Sequence, residues 1–183
     1  MGSHFLTEVT VMHKLKALTL CGLFIALLAI GARLSIPLFG VPITMQTPVV
    51  LLCGLLLGKK FAPLTVGCYL ALGLLGLPVF NQGGGIGYLV QPTFGYLVGF
   101  LACSFILGWF GEKQRPALGV ILGLFLIYLL GSLWYYIIGT LYLSQTLSVS
   151  ALMTGCVLTT LPLDCVMAIL SLILYQRLKR HIH

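Results

Sequence analysis

Residues 158–175 read LTTLPLDCVMAILSLILY, an apolar run holding one carboxylate, Asp164. The whole chain carries three acids, and the other two, Glu8 and Glu112, lie in polar segments. A carboxylate at bilayer depth costs about 2.5–3.5 kcal/mol on insertion scales, so such a residue is expected to face a cavity and touch something polar. Pro162 has no N–H and leaves the Leu158 carbonyl without its helical partner. Thr159 and Thr160 stand where they can cap a restarting helix. A broken helix beside a carboxylate is a common way to build a ligand site near the membrane midplane. A proline kink with Asp164 bonded to nearby backbone is the plainer alternative.

The rest of the chain reads as membrane-spanning. Sixty per cent of its 183 residues are hydrophobic and 7% charged, against about 25% charge in soluble domains. Mean hydropathy is +1.12. Apolar runs cover 15–32, 49–58, 61–77, 93–111, 116–143 and 151–175. The second is short and reaches spanning length only by starting near Thr44. The expected fold is therefore an all-α integral membrane protein of six transmembrane helices. Residues 1–13 are read as an N-terminal tail, in part an expression remnant. Residues 14–183 are read as one six-helix domain. No cleavable leader is evident in MGSHFLTEVTVMHK.

Charge sets the topology. The net charge of +7 would suggest nucleic acid in a soluble chain, but here the basic residues flank apolar runs. With both termini cytoplasmic, nine of the ten Lys and Arg residues fall inside and Arg33 alone falls outside. Two long loops, RLSIPLFGVPITMQTP (33–48) and PVFNQGGGIGYLVQP (78–92), then lie outside. Both are apolar, aromatic and nearly uncharged. Irregular backbone of that kind persists near a membrane where it packs on protein or lines a cavity. They are expected to lid an outward-facing pocket.

Several chemistries find no support. The four histidines, His4, His13, His181 and His183, are terminal, which disfavours Ser-His or His-metal chemistry in the membrane. The six cysteines lie in apolar runs without a CxxC spacing and read as packing residues. GLLLGKK (54–60) has the wrong glycine spacing for a phosphate-binding loop, and GGGIG (83–87) is no dinucleotide fingerprint. If nucleotide energises the chain, a partner hydrolyses it.

Other candidates cluster on the two loops. Asn81 and Gln82 supply donors and acceptors, their glycine neighbours permit close backbone approach, and Tyr88 adds a flat face with a polar tip. Thr44 and Gln46 can point into the same cavity, with helix capping by Thr44 as an equal alternative. Gly22, Ala26 and Ala29 form a small-residue strip on the first span, suited to close helix contact inside the protein or with a partner.

These residues together resemble the BioY family, the biotin-specific substrate-binding subunits of energy-coupling-factor transporters. PITMQT, GLPVF, the Gly-rich loop, PTFGYLVGF and the late P-x-D carry the resemblance, which begins near Leu15 and runs to the C-terminal tail. It implies a six-helix subunit of the bacterial cytoplasmic membrane that binds biotin from outside. It also implies docking on a transmembrane coupling subunit driven by two ATP-binding-cassette ATPases. No cofactor, enzymatic activity or nucleic-acid partner is implied. The family's docking strip maps to Gly22 and Ala26. Its ligand-binding Asn and Asp map to Asn81 and Asp164. Tyr88, Tyr96, Trp134 and Tyr135 are aromatic candidates for covering the rings, although Trp134 and Tyr135 read better as packing or interface residues. One departure stands out. The family's Lys one turn after the Asp is Met167 here, which removes a cation that would pair with biotin's carboxylate. Arg33 or loop N–H groups are the expected substitutes, and a looser ligand preference is the other consequence. A stand-alone carrier of another small vitamin and an intramembrane enzyme using Asp164 are the competing readings.

Overall fold

The computed structural model describes residues 2–36, 41–142 and 153–182. Helix α1 spans Gly2–Arg33. A two-stranded antiparallel ribbon follows, β1 (Ser35–Ile36) and β2 (Ile43–Thr44), with Ser35 opposite Thr44. Then come α2 (Gln46–Leu74), a 3₁₀ turn (Ile86–Val90), α3 (Phe94–Glu112) and α4 (Pro116–Leu141). A π-helical turn (Met153–Leu158) leads into α5 (Leu161–Ile182). Pro37 of the first loop, the polar stretch 144–150 and the expected start of the last run at Ala151 lie outside the described residues.

Five helices among the described residues are long and apolar enough to cross a membrane. One of them, α2, is not a straight rod. Gly58 breaks it with φ 72° and ψ −178°, a backbone conformation that suits glycine. A straight helix at about 1.5 Å per residue would set residues 46 and 69 about 35 Å apart. Instead the Gln46 side-chain amide donates to the Tyr69 hydroxyl at 2.8 Å. The Cys53 thiol likewise lies 4.0 Å from the Ala62 carbonyl. The two limbs of α2 therefore run back along each other, turning where Lys59 and Lys60 interrupt the apolar sequence.

Helix α3 packs against both α2 and α4, while α1 and α5 lean on α2. Small residues permit the close approach: a Cβ at Gly99 would press on the Ile127 backbone, and one at Gly95 on Trp134. Leu28, Val50, Leu51, Val66 and Leu107 are fully or almost fully buried. Leu18, Ile30, Phe105, Ile121, Phe125, Leu133 and Ile169 project outward from the bundle. That large an apolar exterior would be an aggregation liability in water and is the expected surface in lipid.

The two ends of the bundle differ. At one end Lys59 Nζ pairs with Glu112 at 2.9 Å and Lys179 Nζ lies 3.5 Å from Gln114 Oε1. Gln114 takes φ 60° in the tight α3–α4 turn. At the opposite end the β ribbon and the 78–92 loop meet.

Candidate ligand-binding site

The 78–92 loop is a folded cover. Phe80 is fully buried and stands edge-on to Tyr69 with ring centroids 5.5 Å apart. The ring series continues through Tyr88 (4.6 Å from Phe80), Phe94 (6.5 Å from Tyr88) and Trp134 (5.7 Å from Phe94). A Cβ at Gly73 would collide with the Phe80 ring, and one at Gly84 with the Leu77 carbonyl. Glycine at both positions lets the loop lie flat on α2. The Tyr69 hydroxyl donates to the Val79 carbonyl at 2.9 Å, and Ser35 Oγ to Asn81 Oδ1 at 3.0 Å. The loop is thus tied to both α2 and the β ribbon.

Beneath the cover lies a pocket. Asn81 and Tyr88 reach it from the loop, Val41–Thr44 from the ribbon, and Gln46 and Thr47 from α2. Tyr96, Leu97 and Phe100 line it from α3, Ile127 and Tyr128 from α4, and Thr160 and Asp164 from the start of α5. Asp164 is the only ionic side chain among the described lining residues.

The position of Asp164 follows from the local chain. It lies in the first turn of α5, where a helix N-terminus favours negative charge. Its amide donates to the Thr160 carbonyl at 3.1 Å. The helical run is interrupted beside Asp164 as the sequence suggested, the π-helical turn ending at Leu158 and α5 starting at Leu161, and Pro162 stands just inside the restart. It is the second residue of α5, where a missing N–H costs little. The Thr160 hydroxyl lies 3.1 Å from that of Tyr128. The Tyr128 hydroxyl donates to Asp164 Oδ2 at 2.6 Å, and Thr47 adds a second side-chain hydrogen bond. An ionised carboxylate has about four lone-pair directions, so capacity for further N–H donors remains. At the top of the pocket Ser35 occupies the carbonyl oxygen of Asn81, which leaves the amide NH₂ able to donate. The site offers an acceptor below, a donor above and aromatic walls between.

Of the residues singled out in the sequence, Asp164, Asn81, Tyr88, Gln46, Tyr96 and Thr44 converge here. Gln46 also braces the cover, its amide held by Tyr69 at 2.8 Å. Gln82 does not reach the pocket. Its side chain is exposed and its backbone bonds the Tyr88 phenol. Burial pushes the Tyr88 pKa up, against the opposing pull of hydrogen bonds from Thr93 and Gln82. Arg33 also stays outside, because its guanidinium donates to the Pro78 carbonyl at 2.6 Å. Trp134 and Tyr135 pack behind the wall, as the packing reading expected. Gly22 and Ala26 lie on an open face of α1, with nothing within 4 Å of a Cβ placed on Gly22. Sequence reasoning missed Tyr128, Thr47 and Ser35. Tyr128 did give a signal: a hydroxyl in the apolar stretch GLFLIYLLG needs a partner once buried.

An apolar helical bundle with a covered pocket and one carboxylate at its base defines a membrane-embedded small-molecule-binding protein. The chain belongs to the BioY family, whose model matches residues 6–183. It is 36% identical over 168 residues to the "Probable biotin transporter BioY" of Lysinibacillus sphaericus, covering 88% of this chain and 86% of that one. It is 46% identical over 123 residues to the biotin transporter BioY of Thermotoga maritima, covering 64% and 72%. The crystal structure of the S-component for biotin from an ECF-type ABC transporter superposes with a TM-score of 0.80 at 30% identity, covering 92% of this chain and 93% of that one.

Proposed function

We propose that this chain binds biotin at the outer face of a bacterial cytoplasmic membrane and serves its uptake as the substrate-specific subunit of an ECF-type transporter. The observation that carries the proposal is the opposed pair in the pocket. Asp164 sits at the base, oriented by Tyr128, and Asn81 sits at the cover. Biotin's ureido ring has two N–H donors and one carbonyl. Asp164 accepts from the N–H side in a charge-assisted bond contributing about 1.5–3 kcal/mol, and Asn81 donates to the carbonyl in a neutral bond contributing about 0.5–1.5 kcal/mol. Tyr88 and Tyr96 flank the bicyclic head. The reaction is binding and translocation, without covalent chemistry on the ligand.

In this reading the doubled-back α2 counts as two spans, which gives six. The Lys59–Glu112 end faces the cytoplasm, together with both termini, and the covered pocket opens outward. The open Gly22–Ala26 face of α1 docks on a transmembrane coupling subunit, and two ATP-binding-cassette ATPases supply the energy. Equilibrium binding of labelled biotin to the purified chain tests the ligand assignment, with thiamine and riboflavin as competitors. Saturable binding displaced by biotin alone is expected. Displacement by another vitamin at lower concentration overturns it.

A further inference from the structure

Among the described residues the pocket lining holds a carboxylate and no cation, although biotin itself is an anion. Of the ten Lys and Arg residues in the chain, none is among the described pocket-lining residues, and Arg33 bonds the cover above it. Its guanidinium is engaged by the Pro78 carbonyl at 2.6 Å and is absent from the pocket lining. One turn beyond Asp164 stands Met167, which cannot pair with an acid. The stretches 37–40 and 143–152, outside the described residues, contain no Lys, Arg or His. Asp164 draws its hydrogen bonds from hydroxyls, those of Tyr128 and Thr47.

From this we infer that the pocket selects the ureido head and not the acid tail, so that it takes biotin derivatives whose carboxyl group is amidated or esterified. The inference rests on the biotin reading above. An anionic tail finds no counter-charge among the lining residues and feels the like charge of Asp164, so neutralising it removes no favourable ion pair. Arg33 acts instead as an anchor of the cover. Its loss affects all ligands alike, because the Pro78 carbonyl it holds lies on the loop that carries Asn81.

Competition against labelled biotin on the purified wild-type protein tests this, with unlabelled biotin, biotin amide and biotin methyl ester as displacers. The amide and ester are expected within about threefold of the acid, a factor smaller than a lost ion pair would give. A loss of about tenfold or more on amidation overturns the inference and leaves the biotin reading standing. If labelled biotin itself does not bind, both fall. Arg33→Ala is expected to weaken acid and amide by the same factor. A loss confined to the acid makes Arg33 the tail's partner and contradicts the inference. Arg33→Gln removes the charge and shortens the donor, and it is expected to change acid and amide by the same factor; an acid-specific loss there is equally contradictory.

Discussion

Tyr128 of α4 gives its phenolic hydrogen to Asp164 of α5 across 2.6 Å, joining two helices at the base of the pocket. The bond explains how one carboxylate is held in an apolar bundle, since a buried charge needs hydrogen-bonding partners to persist. It also turns the carboxylate toward the cavity. Tyr128→Phe keeps the ring and removes the donor. Hydrogen bonds to charged groups contribute about 1.5–3 kcal/mol, and about 1.4 kcal/mol is tenfold in affinity. Biotin affinity of Tyr128→Phe is therefore expected to fall about tenfold or more, and the melting temperature in detergent to fall with it, because the buried carboxylate loses a donor. Unchanged affinity in a radioligand assay removes Tyr128 from the account.

The cover depends on glycine at Gly73, where a side chain would enter the space of the Phe80 ring. Overpacking of this kind costs about 1–3 kcal/mol. Gly73→Val is expected to lower thermal stability and to weaken ligand binding together, because Asn81 follows Phe80 directly. A melting curve that matches wild type counts against the packed cover.

Ala26 lies on the open face of α1, away from the pocket. Ala26→Trp is expected to leave ligand affinity of the isolated chain unchanged. In cells that contain the coupling module, it is expected to reduce uptake and co-purification with the coupling subunit. Normal uptake and co-purification place the docking face elsewhere.

Orientation can be read by cysteine labelling. Gln82 and Gln114 are both exposed and lie at opposite ends of the bundle. On a background with the native cysteines replaced by alanine, Gln82→Cys is expected to react with an impermeant maleimide in intact cells. Gln114→Cys is expected to react only after permeabilisation. The reverse pattern inverts the proposed topology.

Much of this was legible because the telling residues break an apolar background. Asp164, Asn81, Gln46 and Tyr88 are polar groups where apolar ones would serve packing better, and all four reach the pocket. The turn at Gly58 was marked by Lys59 and Lys60. Other features depend on contacts that a linear pattern does not encode. The Tyr128–Asp164 bond joins residues 36 apart, and the Arg33–Pro78 bond joins residues 45 apart, so both depend on helix register and loop path. Gln82 read as well as Asn81 in sequence. The bridge between Phe80 and Gly83 and the positive φ of Gly83 turn the chain between them, and the Gln82 side chain faces away. Pro162 marked the interruption before Asp164, since proline suits the first turn of a restarting helix and α5 begins one residue before it.

Titration of purified wild type and Asp164→Asn with labelled biotin, each checked for an unaltered melting temperature, tests the central assignment most directly. Wild type should bind saturably, and the amide variant, left without its ionic acceptor, should bind at least about tenfold more weakly. Equal affinity in the two proteins would show that the carboxylate at the base of the pocket does not hold the ligand.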